Sequence, residues 1–268
     1  ITGLPPYEVA NHGIARSFQI ISVFRDLTVF ENVRVAVQAK TPHRFSLLGV
    51  TDALEEINRE AERILDQVGL RPLRDQIAAN ISHGDQRLLE IGITLAMQPE
   101  LLMLDEPLAG LAAKERVKIA GLIRSVAGDH TIALIDHDID QILAISDQIT
   151  VLHQGKVIAE GNPEEVKANA LVQEAYIGGF KRHRMPAAAP RARTEAPMLE
   201  VSRINTFYGK SHILHDVSLR IHQGELVCLL GRNGAGKTTS LHSIVGLTPP
   251  QTGEITLAGQ PIARHTPE

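Results

Sequence analysis

The stretch Gly231-Arg-Asn-Gly-Ala-Gly236-Lys237-Thr238 constrains the fold of this chain more than any other. It matches G-x-x-x-x-G-K-[ST] at every fixed position, follows an apolar run at 226–230, and opens a helical pattern over 237–245. A strand that delivers a glycine-rich turn onto a helix N-terminus is suited to phosphate. Backbone N–H groups converge on the anion and the helix adds its positive end. The pattern assigns Gly231, Asn233, Gly234, Ala235, Gly236, Lys237, Thr238 and Thr239 to nucleotide contact. Lys237 would meet the β/γ-phosphates and the Thr238 hydroxyl would ligate Mg²⁺.

Upstream, residues 1–180 alternate short β-rich runs with helical ones. Residues 14–19, 101–104 and 131–136 read as strands, 53–68 and 88–97 as helices, and 148–152 with 156–160 as a hairpin turning at Gly155. Buried strands separated by helices predict a largely parallel α/β sheet. Leu101-Leu-Met-Leu-Asp105-Glu106 places two carboxylates at the C-terminal end of such a strand, where open sheets bind ligands. There Asp105 would hold Mg²⁺ through water and Glu106 would polarise an attacking water. Taken alone, a strand ending in an acidic turn explains the pair equally well.

Residues 181–197, KRHRMPAAAPRARTEAP, break the rhythm with Pro, Ala and Arg and no periodic apolar face. They read as a linker of roughly 55 Å when fully extended. Its basic residues suit phospholipid or RNA as well as water, and a solvated tether is the preferred reading. Beyond it, 199–204, 213–221, 226–230 and 254–257 read as strands.

With Ile81-Ser82-His83-Gly84-Asp85-Gln86 ahead of a helix, these motifs together resemble the ABC-type ATPases. The resemblance implies a P-loop NTPase fold, an ABC nucleotide-binding domain with a helical subdomain and an antiparallel β-subdomain. It implies that Gln19 senses the γ-phosphate, stands near the metal and faces a membrane subunit. It further implies that Ser82 and Gly84 reach the γ-phosphate held by an opposing domain, that His137 is a switch histidine, and that Tyr208 stacks on adenine. From the residues alone, Ser82 is a helix N-cap, and a lone His or Tyr at those places is structural. Ala15-Arg-Ser-Phe-Gln19, Gly84-Asp-Gln-Arg87, Asp105-Glu-Pro-Leu-Ala-Gly-Leu111 and Ala175-Tyr-Ile-Gly-Gly179 are similar to the ATPases of branched-chain amino acid importers. Three positions depart from the family pattern: His83 replaces a Gly, Ala112 an Asp, and Asp136 the more usual Glu.

The order of the motifs is unusual, because the family places the phosphate loop first and this chain places it last. A tandem fusion explains that order, with 1–180 the rear part of one ATPase domain, 181–197 a linker, and 198–268 the front part of a second. Ile1-Thr-Gly-Leu-Pro-Pro6 then corresponds to Ile262-Ala-Arg-His-Thr-Pro267, and the chain is expected to be a piece of something longer. Two arrangements follow. In the preferred one the segments assemble in permuted order as one domain, with strands 226–230 and 101–104 in contact, since an open apolar sheet edge invites aggregation. In the other, Lys237 opposes Ser82 across an interface, far from Asp105.

A net charge of −4 gives no reason to expect a polyanion, and the single cysteine, Cys228, excludes a disulfide framework and fits a reducing cytosol. No apolar run approaches the roughly 20 residues that span a bilayer. The expected function is hydrolysis of ATP with Mg²⁺, by Glu106, His137 and Lys237, to power an importer of branched-chain amino acids. Alternatives are a related urea or amide importer, or a soluble tandem protein acting on ribosomes or DNA. The expected partners are membrane permease subunits and a second ABC ATPase domain, without nucleic acid or direct membrane insertion. The expected location is cytoplasmic, peripheral on the inner face of the cell membrane. Alone, the chain is expected to bind nucleotide but turn over little, for want of an opposing signature.

Overall fold

A computed structural model describes residues 12–17, 21–40, 51–176, 196–231 and 234–262. In chain order the elements are β1 (Ile14–Arg16), α1 (Val29–Lys40), α2 (Thr51–Gln67), α3 (His83–Ala96), β2 (Leu101–Asp105), α4 (Ala113–Val126), β3 (Thr131–Asp136), α5 (Ile139–Ile145), β4 (Gln148–His153) and β5 (Lys156–Gly161). There follow α6 (Pro163–Ala168), α7 (Ala170–Tyr176), β6 (Pro197–Tyr208), β7 (Ser211–His222), β8 (Leu226–Gly231), α8 (Lys237–Ile244), β9 (Thr252–Leu257) and β10 (Gln260–Pro261).

The strands form a six-stranded sheet in the order β1-β2-β3-β8-β4-β5 and a four-stranded sheet in the order β10-β9-β6-β7. The larger sheet is parallel except for the β4–β5 hairpin, and the smaller is antiparallel throughout. Strand β8 sits between β3 and β4, paired in parallel with both. The C-terminal segment thus fills the middle of a sheet whose other strands come from the N-terminal segment.

Alternation along the buried strands sorts their side chains into two cores, because successive residues face opposite sides. Leu102, Leu104, Ile132, Leu134, Leu226, Cys228 and Leu230 join the helices α1–α5 on one face. Leu101, Met103, Ala133, Ile135, Val227 and Leu229 face the antiparallel sheet, with Leu241 and Ile244 of α8 packed between the layers. Strands buried on both faces carry near-continuous apolar sequence, which is why 101–104 and 226–230 are easily read.

Several expectations need correction. Strands 226–230 and 101–104 share a sheet but do not pair; β3 lies between them and bonds to both. The helix expected at 88–97 starts at His83, because the Ser82 hydroxyl caps it by accepting from the Asp85 N–H at 3.1 Å. The strand expected at 199–204 runs on to Tyr208. Register shifts around Arg203, whose φ is +47°, throw the alternation out of phase there. Strand pairing also begins at Pro197, within the expected linker; the first residue of a strand tolerates a missing N–H. The rest of the linker, at 181–195, and the matched terminal stretches at 1–6 and 263–267 lie outside the described residues.

Candidate active site

Strand β8 ends on Gly231 and α8 begins at Lys237, so the phosphate loop rises from the centre of the large sheet. Gly236, the N-cap of α8, has φ of +101°, and a Cβ there would press within 2.7 Å of Leu214 Cδ2. Any side chain would strain the loop just where backbone N–H groups must face a ligand. A support comes from the β4–β5 turn: the Gly155 N–H donates to the Ala235 carbonyl at 3.1 Å, and its own carbonyl accepts from the His215 N–H at 2.9 Å. Gly155 itself has φ of +74°, and a Cβ would run into the Ile213 carbonyl.

Lys237 is buried, its ammonium donating to the Gly231 carbonyl at 2.9 Å and standing 3.6 Å from Glu106 Oε1. The same carboxylate oxygen lies 3.5 Å from His137 Nδ1. All three residues expected to be catalytic therefore converge, although Lys237 and the other two come from opposite sides of the linker. Glu106 holds a left-handed backbone, φ +47°, with its N–H donating to the Ile135 carbonyl at 2.8 Å. A non-glycine residue in that region costs about 1–2 kcal/mol, and such strain gathers at functional sites. His137 follows the buried Asp136, whose Oδ1 accepts from the N–H groups of His137 (2.7 Å) and Asp138 (3.2 Å). Its Oδ2 accepts from the Leu108 N–H at 3.4 Å, so one carboxylate ties the histidine loop to the loop after Glu106. Burial raises the pKa of Asp136 despite these donors.

Asp105 is fully buried. Its Oδ2 accepts from Arg16 Nη2 at 3.0 Å, while Oδ1 is buried with no hydrogen-bond partner. A buried carboxylate oxygen without a donor is costly unless something positive meets it, and Mg²⁺ fits that description. Thr238, half-buried in the first turn of α8, supplies a hydroxyl of the kind Mg²⁺ accepts. The next residue, Thr239, is buried. Tyr208 is about half exposed at the end of β6, its hydroxyl 3.3 Å from His242 Nδ1 on α8. Burial, with Arg16 nearby, holds the His242 imidazole below its usual pKa.

Ser82 and Gly84 stand elsewhere, at the start of α3. The Ser82 hydroxyl donates to Asp85 Oδ2 at 2.8 Å, and Gly84 packs so closely on the Glu115 carboxylate that a Cβ would clash. Gln19 and Asn233 lie outside the described residues. Sequence reasoning set Arg16 within Ala15-Arg-Ser-Phe-Gln19 but gave it no role, and it missed the support from Gly155. The glycine at the hairpin turn was a visible signal for Gly155, whereas the local pattern tied Arg16 to no partner.

A family model described as ABC transporter matches residues 5–109 and 214–268, and one described as branched-chain amino acid ATP-binding cassette transporter matches 156–181. The chain is 42% identical over 186 residues to the high-affinity branched-chain amino acid transport ATP-binding protein LivG of Salmonella typhimurium, covering 66% of this chain and 72% of that protein. BraF of Pseudomonas aeruginosa, described in the same words, is 37% identical over the same shares. The ribose import ATP-binding protein RbsA of Rhodococcus jostii aligns over 98% of this chain and 50% of its own length at 26% identity. Among solved structures, a nucleotide-free ATP-binding cassette from an ABC transporter matches with a TM-score of 0.54 and 30% identity, over 67% of this chain and 74% of that one.

Proposed function

The chain belongs to the ABC transporter ATP-binding family, and from that premise we propose that it binds and hydrolyses ATP to drive an importer of branched-chain amino acids. The observation that carries this reading is the approach of Lys237 to Glu106 at 3.6 Å, with His137 on the same carboxylate oxygen. An ammonium at the helix N-terminus neutralises transferring phosphate, and a carboxylate beside it orients the attacking water. His137, about half exposed, would donate to a γ-phosphate oxygen. Mg²⁺, when bound, would be held by Thr238 and Asp105 and would supply further charge neutralisation. Tyr208 offers an aromatic face to the base.

The choice of solute rests on relatives: those at 37–42% identity are named for branched-chain amino acids, the ribose importer at 26% for another solute. An alignment that takes in 98% of this chain, with its late phosphate loop, and only 50% of that ribose importer supports derivation from a tandem fusion. In the assembled transporter a second ATPase domain would present its signature to this site, and Ser82 and Gly84 would serve the opposite one. Membrane permease subunits would hold the pair at the cytoplasmic face. Among the described residues no helix is long and apolar enough to cross a membrane.

The test is isothermal titration of ATP with Mg²⁺, followed by ATP-dependent leucine uptake into vesicles bearing a permease that co-purifies with the chain. Binding to the wild type and uptake abolished by Glu106→Gln are expected. Absence of ATP binding, or uptake indifferent to Glu106→Gln, would contradict the reading.

A further inference from the structure

We propose that Arg16 and Ser17 are positioning residues that clamp Asp105 and aim its free oxygen at the metal. The inference rests on the ATPase reading given above and extends it to two residues to which the sequence motifs gave no role. Strand β1 is only three residues long and pairs in register with β2, Arg16 lying opposite Met103. Ser17 continues that ladder, its N–H donating to the Met103 carbonyl at 2.9 Å. From there the Ser17 hydroxyl accepts from the Asp105 N–H at 3.2 Å, while Arg16 Nη2 donates to Asp105 Oδ2 at 3.0 Å. Two consecutive residues thus hold the backbone and the carboxylate of the same aspartate.

The chemistry of this grip is specific. A carboxylate turns about its terminal torsion, so fixing one oxygen fixes the direction of the other. Arg16 is nine-tenths buried, and its Nη2 holds Oδ2 by one charge-assisted hydrogen bond of 3.0 Å. Oδ1, buried and without a hydrogen-bond partner, is left as the single open acceptor.

Groups that hydrogen-bond a metal-ligating carboxylate commonly change metal affinity by about tenfold or more. The experiment follows Mn²⁺ binding by electron paramagnetic resonance with saturating ADP, alongside ADP affinity measured without metal. Wild type, Arg16→Met, Arg16→Lys and Ser17→Ala are compared. Metal-free ADP affinity is expected to stay unchanged, whereas Mn²⁺ affinity falls about tenfold in Arg16→Met. Ser17→Ala, which loses one hydroxyl and keeps the ladder bond, should fall about threefold. Arg16→Lys should lie between Arg16→Met and wild type. Unchanged or tighter Mn²⁺ binding in Arg16→Met overturns the proposal; should that variant not fold, unchanged binding in Ser17→Ala does so. Failure of wild-type chain to bind ADP at all would instead overturn the ATPase reading.

Discussion

The ammonium of Lys237 stands 3.6 Å from the Glu106 carboxylate, joining the C-terminal phosphate loop to the N-terminal acidic strand. The contact exists because β8 inserts between β3 and β4, which puts the loop and both loops after β2 and β3 at one end of the sheet. Chain order is permuted relative to the family, yet the strand ends that carry the chemistry still converge.

The two partners of that contact should fail differently. Lys237→Ala is expected to abolish detectable ATP binding, since the buried ammonium would be the phosphate counter-charge. Glu106→Gln should keep binding within a few-fold and lower the hydrolysis rate by about 10²–10⁴ under conditions where wild type turns over. Titration calorimetry and single-turnover hydrolysis separate the two effects.

Gly155→Ala should damage the phosphate loop from a distance. Its φ of +74° and its approach to the Ile213 carbonyl leave no room for a methyl group, and its N–H supports the Ala235 carbonyl. Left-handed strain plus overpacking should cost about 2–4 kcal/mol of stability. Chemical denaturation measures that loss, and weakened ATP binding is expected alongside it.

Asp136 gives a pH signature. Burial raises its pKa above the ordinary 3.8, so between those values the folded state holds more proton than the unfolded one. Stability from this group therefore falls as pH rises through that window. Asp136→Asn carries no charge to bury. Its melting temperature relative to wild type should rise as pH is raised from 4 towards neutrality. A difference that is flat or shrinks with pH would contradict the assignment.

Cys228 should be inert in the native chain. It is fully buried in β8 facing the helical core, and burial, with Asp136 nearby, pushes its thiol pKa well above the usual range. A thiol reagent at pH 8.5 should leave the folded protein unmodified and titrate one group once denaturant is added.

Residues whose signal is local were legible in the sequence. The phosphate loop, the apolar run before Asp105 and the hairpin around Gly155 announce themselves because spacing and backbone demands are written in adjacent positions. The bounds of β6 were not, since a bulge at Arg203 shifts the alternation that would mark residues beyond Ile204. Pairing partners were not legible either: β3 and β8 have equally apolar faces, and which strand separates β2 from β8 depends on the whole sheet. The role of Arg16 was hidden for the same reason, because its partner Asp105 is remote in sequence and meets it only through β1–β2 pairing.

The central claim is that a single chain builds its nucleotide site from both sides of the linker. Co-refolding equal amounts of Lys237→Ala and Asp105→Ala chains, then measuring Mn²⁺·ADP binding, tests it most directly. A site made within one chain predicts that the mixture binds no better than either variant alone. Recovery of wild-type affinity in a fraction of the mixture would mean that phosphate loop and acidic strand are exchanged between chains, and would contradict the account.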